Sequence, residues 1–251
     1  MYQHNVIESM GPLVGGTTYR NYNGLDFNLS LRAGDTSQSR SNRKDLFHNL
    51  SLPLENGVFP QQVHGNEVLQ ITSTRKDLEE DSSTVSKCDG LMTSEGELVL
   101  SIQTADCYPI FIYDPIQKAI ALIHAGWRGT AQKITVKTIE LLSHTYQSNP
   151  EDLIVSIGPG IQSCCYEVSI EFMDHFSAQV LKERNGQFYL DLLKENVLQA
   201  QSASVLEDNI LTESSLCTAC HVDQFYSYRK EGPLSGRMMS FLSLKSGYYS
   251  D

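Results

Sequence analysis

The sequence predicts an α+β chain built as a layered domain of mixed β-sheets with flanking helices. Short apolar strands recur along it, helical periodicity is confined to a few segments, and the two never alternate regularly as a doubly wound sheet requires. Length and composition agree. At 251 residues and 40% hydrophobic content, the chain sits near the size at which one core stops growing, so a single domain over residues 1–251 is expected.

Taken in order, residues 14–32 alternate in the manner of strands around Thr17, Tyr19, Phe27 and Leu29. Ala33-Gly34-Asp35 then opens a polar stretch before a helix at 40–50. Residues 57–72 read as strand, loop, strand around His64-Gly65, and Ser73 to Lys87, lacking periodicity, as a surface loop. Leu98 to Thr104, continued through Pro109 to Tyr113, and Lys118 to His124 are apolar strands joined at Asp114-Pro115-Ile116-Gln117. Val136, Ile139, Leu142 and Tyr146 signal a helix over about 130–146, and Leu153 to Ile157 a buried strand ending in Gly158-Pro159-Gly160. Helices at about 168–184 and 191–204, a short strand at 208–212 and a final strand at 238–244 complete the expectation. The glycine turn at 158–160 matches neither a dinucleotide fingerprint nor a phosphate loop.

Charge excludes some functions. With 30 Asp and Glu against 19 Lys and Arg, and no long basic run, the chain is not expected to bind nucleic acid or an anionic membrane. No apolar stretch reaches the length of a signal-peptide core near the start or of a membrane span elsewhere, so a soluble, cytoplasmic protein is expected. Its 6 cysteines are then expected as thiols. Cys217-Thr218-Ala219-Cys220-His221 looks like half a zinc knuckle, but no second Cys-X-X-Cys completes it, and it reads as structural.

Reactive residues gather in three places: Gln62-Val63-His64-Gly65, Thr104-Ala105-Asp106-Cys107, and His124-Ala125-Gly126-Trp127-Arg128-Gly129. If the turn between the two apolar strands is tight, with Pro115-Ile116 at its tip, Cys107 faces His124 with Cβ atoms ~5 Å apart. Proline does not suit the favoured two-residue turns, so a bulge would shift the pairing. Two chemistries fit the pair. One is a zinc held by His64, Cys107 and His124 with an open fourth position; the other is a Cys107 thiolate nucleophile activated by His124. Spacing alone does not choose between them.

These motifs carry a resemblance. The chain resembles the multicopper polyphenol oxidase or laccase-domain family, described as purine nucleoside phosphorylases of the YfiH and YlmD type. The likeness runs from Asn28-Leu29, Gly34-Asp35 and Asn42-Arg43 through the three reactive places and Asp89-Gly90-Leu91-Met92-Thr93. It continues through Ile157-Gly158-Pro159, Tyr166-Glu167-Val168, Cys217-Thr218, Ser227-Tyr228-Arg229 and Gly236-Arg237. Cys88 before Asp89, and Lys230 where a second arginine is common, are small departures.

The resemblance implies a fold like that of bacterial toxin deamidases, and a catalytic zinc on His64, Cys107 and His124. It implies phosphorolysis of adenosine, inosine, guanosine and methylthioadenosine to free base and ribose 1-phosphate, with adenosine deamination beside it, in a monomer or homodimer. Asp106 and Glu167 are candidates to move a proton, and Arg43, Gln62, Arg128, Glu167, Arg229 and Arg237 to bind substrate, the arginines as phosphate donors. The laccase label fits less well, because the 7 histidines include no His-X-His pair for a copper cluster, although copper competes for the same three ligands. Alternatives are a Cys-His amide hydrolase that edits peptidoglycan precursors, with Cys107 as nucleophile, a copper-dependent polyphenol oxidase, and a non-catalytic zinc or scaffold protein. The aromatic run Phe225, Tyr226 and Tyr228 is a candidate for stacking on a purine.

Overall fold

Tyr108–Asp114 and Ala119–Ala125 are buried at every position, as strands covered on both faces must be. The computed structural model of the chain describes residues 2–3, 7, 10–73 and 84–245. In chain order the strands are β1 (Tyr2–Gln3), β2 (Leu13–Thr18), β3 (Asn21–Tyr22), β4 (Leu25–Asp26), β5 (Gly57–Gln61), β6 (Val68–Gln70), β7 (Thr84–Lys87), β8 (Gly90–Thr93) and β9 (Val99–Thr104). They continue as β10 (Tyr108–Asp114), β11 (Ala119–Ala125), β12 (Ile154–Ile157), β13 (Glu167–Val168), β14 (Leu181–Arg184), β15 (Gln187–Leu190), β16 (Ile210–Thr212) and β17 (Met238–Leu244). The helices are α1 (Thr36–Asn49), α2 (Trp127–Ala131), α3 (Ile134–Tyr146), α4 (Leu192–Ser202) and α5 (Tyr228–Glu231).

Among the described residues two six-stranded sheets form, in the orders β1-β2-β17-β9-β5-β7 and β16-β12-β10-β11-β8-β6. Both are mixed: β5 runs parallel to β7 and β9, and β12 to β16, while β10 and β11 pair antiparallel. Side-chain alternation then sets the layers. Leu100, Ile102 and Leu242 of one sheet meet Phe111, Ile120 and Leu122 of the other in a shared core. The opposite residues of the second sheet, including Ile110, Ala121 and Ile123, pack under Ile134, Ile139 and Leu142 of α3 and Leu192 and Ala200 of α4. On the far side of the first sheet, Val99, Met239 and Phe241 pack against Leu46 and Phe47 of α1. The mixed layered architecture expected from the sequence is thus what forms.

Helix α1 shows how sequence makes an element here. Asp35 caps it, accepting from the Ser37 and Gln38 N–H groups at 2.8 and 3.3 Å. Ser39, Asn42, Arg43, Leu46 and Phe47 form its buried face, at the spacing of one helical stripe. Two of its three polar members hold the preceding segment: Asn42 donates to Asn28 O at 2.8 Å and Arg43 to Leu29 O at 2.9 and 3.0 Å.

Several expectations change. The run from Leu98 to Tyr113 is two strands in different sheets, broken at Asp106, whose φ of 87° turns the chain from one sheet to the other. The β10–β11 turn is looser than a two-residue hairpin: Asp114 pairs with Ala119, so Pro109 rather than Cys107 faces His124. Asp114 caps that turn by accepting from the Ile116 and Gln117 N–H groups at 2.8 Å each. The slip is two residues, which preserves the face on which each side chain lies.

The helix expected at 168–184 does not form. Its residues give β13, a short 3-10 turn at Ile170–Asp174 and β14, because Asn185 and Gly186, with φ of 53° and 79°, close a hairpin onto β15. Asn-Gly is the residue pair such a turn demands, and local turn chemistry overrides the helical spacing upstream. The helix expected over 130–146 is interrupted at Lys133, whose φ is 61°. Of the expected surface loop, residues 84–87 pair as β7 with β5, and 74–83 lie outside the described residues. Phe27 and Leu29 lie beyond the β3–β4 hairpin and are core residues without strand pairing.

Candidate active site

The three reactive places meet where β9 leaves the first sheet and the chain crosses to the second. His124, on β11, has the parity of Ile120 and Leu122 and so points to the face shared by the sheets. Cys107 arrives from the crossover, and His64 from the β5–β6 loop. The ligating atoms of His64, Cys107 and His124 lie within 4.8 Å of one another, and the two imidazole centroids are 4.8 Å apart, edge to face.

A residue the sequence reading gave no role organises this cluster. Asp89, fully buried, accepts from the backbone N–H groups of Val63, His64 and Gly65 at 3.2, 3.0 and 2.7 Å. It also lies 2.8 Å from His124 Nδ1. One carboxylate therefore shapes the His64 loop, in which His64 adopts a φ of 60°, and selects the His124 tautomer that turns Nε2 toward the cluster. Burial pushes Asp89 up, but His124 and the donors from Gly65 and Val63 outweigh it, leaving the carboxyl below its ordinary range. Its signal was an acid at the head of an apolar strand, in the Asp-Gly-Leu-Met-Thr run.

The electrostatics favour a Cys107 thiolate. Burial raises the thiol, yet the charge on His124 and hydrogen bonds from His124 and His64 prevail and bring it down to about 6. Burial lowers His124, while the Cys107 charge and the Asp89 bond raise it to about 9. The glycines of His124-Ala125-Gly126-Trp127-Arg128-Gly129 permit the close approach. A Cβ on Gly126 would lie 3.0 Å from Cys107 Sγ and 3.3 Å from His64 Cδ2, and one on Gly129 only 2.5 Å from Gly65 O.

The cluster opens into a cavity of about 670 Å³. Although the chain carries a net charge of -11, among the described residues this cavity is lined by six arginines, Arg32, Arg40, Arg43, Arg128, Arg229 and Arg237, and by a single carboxylate, Asp106. Phe59, Trp127, Tyr166 and Tyr228 supply aromatic walls. Arg128 stacks on Trp127 with its guanidinium carbon 4.3 Å from the ring centroid. Arg229 donates to Glu167 O at 2.9 Å, and Arg237 to Gly236 O at 2.8 Å. Burial lowers Arg43 to about 10. Arg32 and Arg40 were not singled out from the sequence, and Tyr166 was named only within the Tyr166-Glu167-Val168 run without a role, because isolated arginines and tyrosines carry no spacing that distinguishes a cavity wall from a surface.

The remaining expected site residues are placed as follows. Both Asp106 oxygens are engaged, accepting from Thr218 Oγ1 and the Arg229 N–H at 2.7 Å each. The Gln62 amide pairs with the Gln103 backbone, donating to its oxygen at 2.8 Å and accepting from its N–H at 2.7 Å, so it splices β5 to β9 at the cavity edge. Glu167 is not brought to the cavity: exposed on β13, it accepts from Gln187 at 2.9 Å. Phe225 and Tyr226 are buried in a side cluster, which leaves Tyr228 as the member of that aromatic run that reaches the cavity.

Known proteins share this arrangement of sequence and fold. A family model described as multi-copper polyphenol oxidoreductase laccase matches residues 13–245. The chain is 30% identical over 240 residues to purine nucleoside phosphorylase YlmD of Bacillus subtilis, covering 92% of this chain and 86% of that one. It is 35% identical over 226 residues to the YlmD of Geobacillus stearothermophilus, covering 86% and 82%. The crystal structure of that YlmD superposes with a TM-score of 0.89 over 97% of this chain and 98% of that chain, at 30% identity. The YfiH protein of Bacillus licheniformis superposes with a TM-score of 0.86 at 30% identity, over 93% of each chain. With the family model spanning nearly the whole sequence and the fold shared from end to end, the chain belongs to the multi-copper polyphenol oxidoreductase laccase family, among relatives that carry the purine nucleoside phosphorylase name.

Proposed function

We propose that this chain is a zinc-dependent purine nucleoside phosphorylase, and that His64, Cys107 and His124 hold the metal. The observation that carries the reading is the meeting of three metal-ligating side chains with an arginine-lined, aromatic-walled cavity in an otherwise acidic protein. The donor set fits zinc: two imidazoles and one thiolate from separate segments, an outer carboxylate on His124, and one side open to the cavity. When bound, zinc supplies Lewis-acid stabilisation of negative charge. Copper competes for the same donors, since it precedes zinc in affinity.

The chain's own residues do the rest. Arg128 and its neighbouring arginines bind inorganic phosphate and hold it against the ribose, whose C1′ it attacks as the bond to the base breaks. Trp127, Tyr166 and Tyr228 present ring faces to the purine. Asp106 acts as a positioning residue, tying the Arg229 backbone and Thr218 to the crossover. Adenosine deamination at the same site is the second reading, and the cavity favours it less: among the described residues its one lining carboxylate, Asp106, is bonded through both oxygens, and Glu167 is not in the lining and is bonded to Gln187, so neither candidate acid is placed to shuttle the proton. Amide hydrolysis with Cys107 as nucleophile finds its support in the lowered thiol alone, and the arginine-lined wall speaks for an anionic co-substrate instead. The free state of all six cysteines fits a cytoplasmic setting, and no helix among the described residues is long and apolar enough to cross a membrane.

Phosphate titration with product analysis on zinc-loaded protein tests this. Base release from inosine is expected to require phosphate and to yield ribose 1-phosphate, while any conversion of adenosine to inosine persists without it. Base release at an equal rate without phosphate means hydrolysis by water and overturns the phosphorylase reading. His64→Ala, Cys107→Ala and His124→Ala are each expected to lose the bound metal while the fold survives.

A further inference from the structure

A second cluster of metal-ligating side chains lies in the loops beside the cavity. Cys217 and Cys220, three residues apart, are met by the adjacent pair Cys164 and Cys165, and all four sulfurs lie within 4.8 Å of one another. Individual separations are 3.7 Å for Cys164 and Cys165, 3.6 Å for Cys164 and Cys220, and 3.4 Å for Cys165 and Cys220. Four sulfurs on one zinc, each with a bond of ~2.3 Å, sit about 3.8 Å apart along the edges of a tetrahedron. Disulfide-bonded sulfurs are ~2.05 Å apart. The three separations among Cys164, Cys165 and Cys220 are close to the tetrahedral edge and far from a disulfide, and Cys217 Sγ lies within 4.8 Å of the other three sulfurs.

Backbone geometry supports the same arrangement. Gly160 and Cys217 form an isolated parallel bridge, which brings the 158–168 and 214–229 loops side by side. The Gln162 N–H donates to Cys217 Sγ at 3.4 Å, the contact by which a loop orients a ligating thiolate. The Cys220 and His221 N–H groups turn back to Cys217 O at 3.1 and 3.0 Å, folding Cys217-Thr218-Ala219-Cys220 into a tight knuckle. Where a conventional knuckle has a second Cys-X-X-Cys, this chain has neighbours, and the turn at 163–165 carries both sulfurs to one side.

We propose that Cys164, Cys165, Cys217 and Cys220 form a structural zinc site, separate from the His64, Cys107 and His124 cluster. Four thiolates leave no coordination position for a substrate, so its work is mechanical. It clamps together two loops that are otherwise joined by the Gly160–Cys217 bridge, by hydrogen bonds such as Gln162 Nε2 to Ser214 O at 2.6 Å and Arg229 to Glu167 O at 2.9 Å, and by a small apolar cluster of Ile161, Cys217 and Ala219. Those loops carry Tyr166, Tyr228 and Arg229 to the cavity wall, and Thr218 and Arg229 to Asp106.

Zinc content of the full-length protein, purified under reducing conditions and freed of loose metal, tests this. About two zinc ions per chain are expected, falling to about one in Cys220→Ser. His64→Ala removes the other equivalent if the catalytic metal reading holds; if that reading fails, His64→Ala changes nothing while Cys220→Ser still removes one, so the two failures are distinguishable. A second measurement needs no variant. Cys164 and Cys220 are exposed, and in zinc-loaded wild-type protein they are expected to resist a thiol-labelling reagent until a chelator is added. Zinc content unchanged in Cys220→Ser, stoichiometric iron in place of zinc, or equal labelling rates with and without chelator overturns the proposal.

Discussion

Asp89 accepts hydrogen bonds at once from the His124 ring and from three successive backbone N–H groups around His64, so one buried carboxylate positions two of the three clustered donors. Its replacement is therefore expected to act through the metal rather than on it. Asp89→Asn keeps the volume but loses the charge, and zinc affinity is expected to fall about 10- to 100-fold, the range for outer partners of ligating histidines. Competition with a chromophoric chelator reads this directly; affinity within twofold of wild type would assign Asp89 to loop folding alone.

Gly129 and Gly65 bring backbone against backbone, with no side chain available to give way. Gly129→Ala places a Cβ 2.5 Å from Gly65 O and is expected to cost about 1–3 kcal/mol, as overpacking does, and to displace the His64 loop. Urea unfolding measures the cost. Gly96→Ala is the control, since nothing lies within 4 Å of its Cβ position; equal midpoints for the two variants would dismiss the close-approach argument.

Arg128 stacks its guanidinium on the Trp127 ring face and lines the cavity, where the proposed function makes it a phosphate donor. Arg128→Lys keeps the charge and loses the fork. The KM for phosphate is expected to rise about tenfold, which is ~1.4 kcal/mol, with a smaller change in the KM for inosine. An unchanged phosphate dependence would assign Arg128 to packing.

Glu213 follows β16, half-buried, and burial pushes its carboxyl up to about 7. An acid whose folded value lies above its unfolded one contributes stability that is present at low pH and lost as pH rises through the folded value. Stability is thus expected to fall between about pH 4.5 and 7 through this group. Glu213→Gln should remove that part of the slope, read as the difference between wild-type and variant urea midpoints across the range. Parallel midpoints at every pH would show that Glu213 ionises in the folded protein as it does in the unfolded chain.

Much of the secondary structure, and the membership of the central cluster, is legible in local pattern. β17 forms over 238–244 as its apolar run dictates, and His64, Cys107 and His124 stood out because reactive side chains sat among small residues. What it hid was whatever depends on chain crossing. Apolar runs look alike whichever sheet they join, so β9 and β10 read as one strand until the positive φ of Asp106 sent them into different sheets. Asp89, Arg32 and Arg40 are scattered in sequence and acquire a place in the site only when the layers bring them together, whereas Arg43, Arg128, Arg229 and Arg237 stood out through the family resemblance and not through any local pattern. The four clustered cysteines show the division most plainly. Cys217 and Cys220 were visible as half a knuckle, but their partners stand more than fifty residues away, joined to them by a single β-bridge, and only tertiary packing fixes a separation that local propensity does not encode.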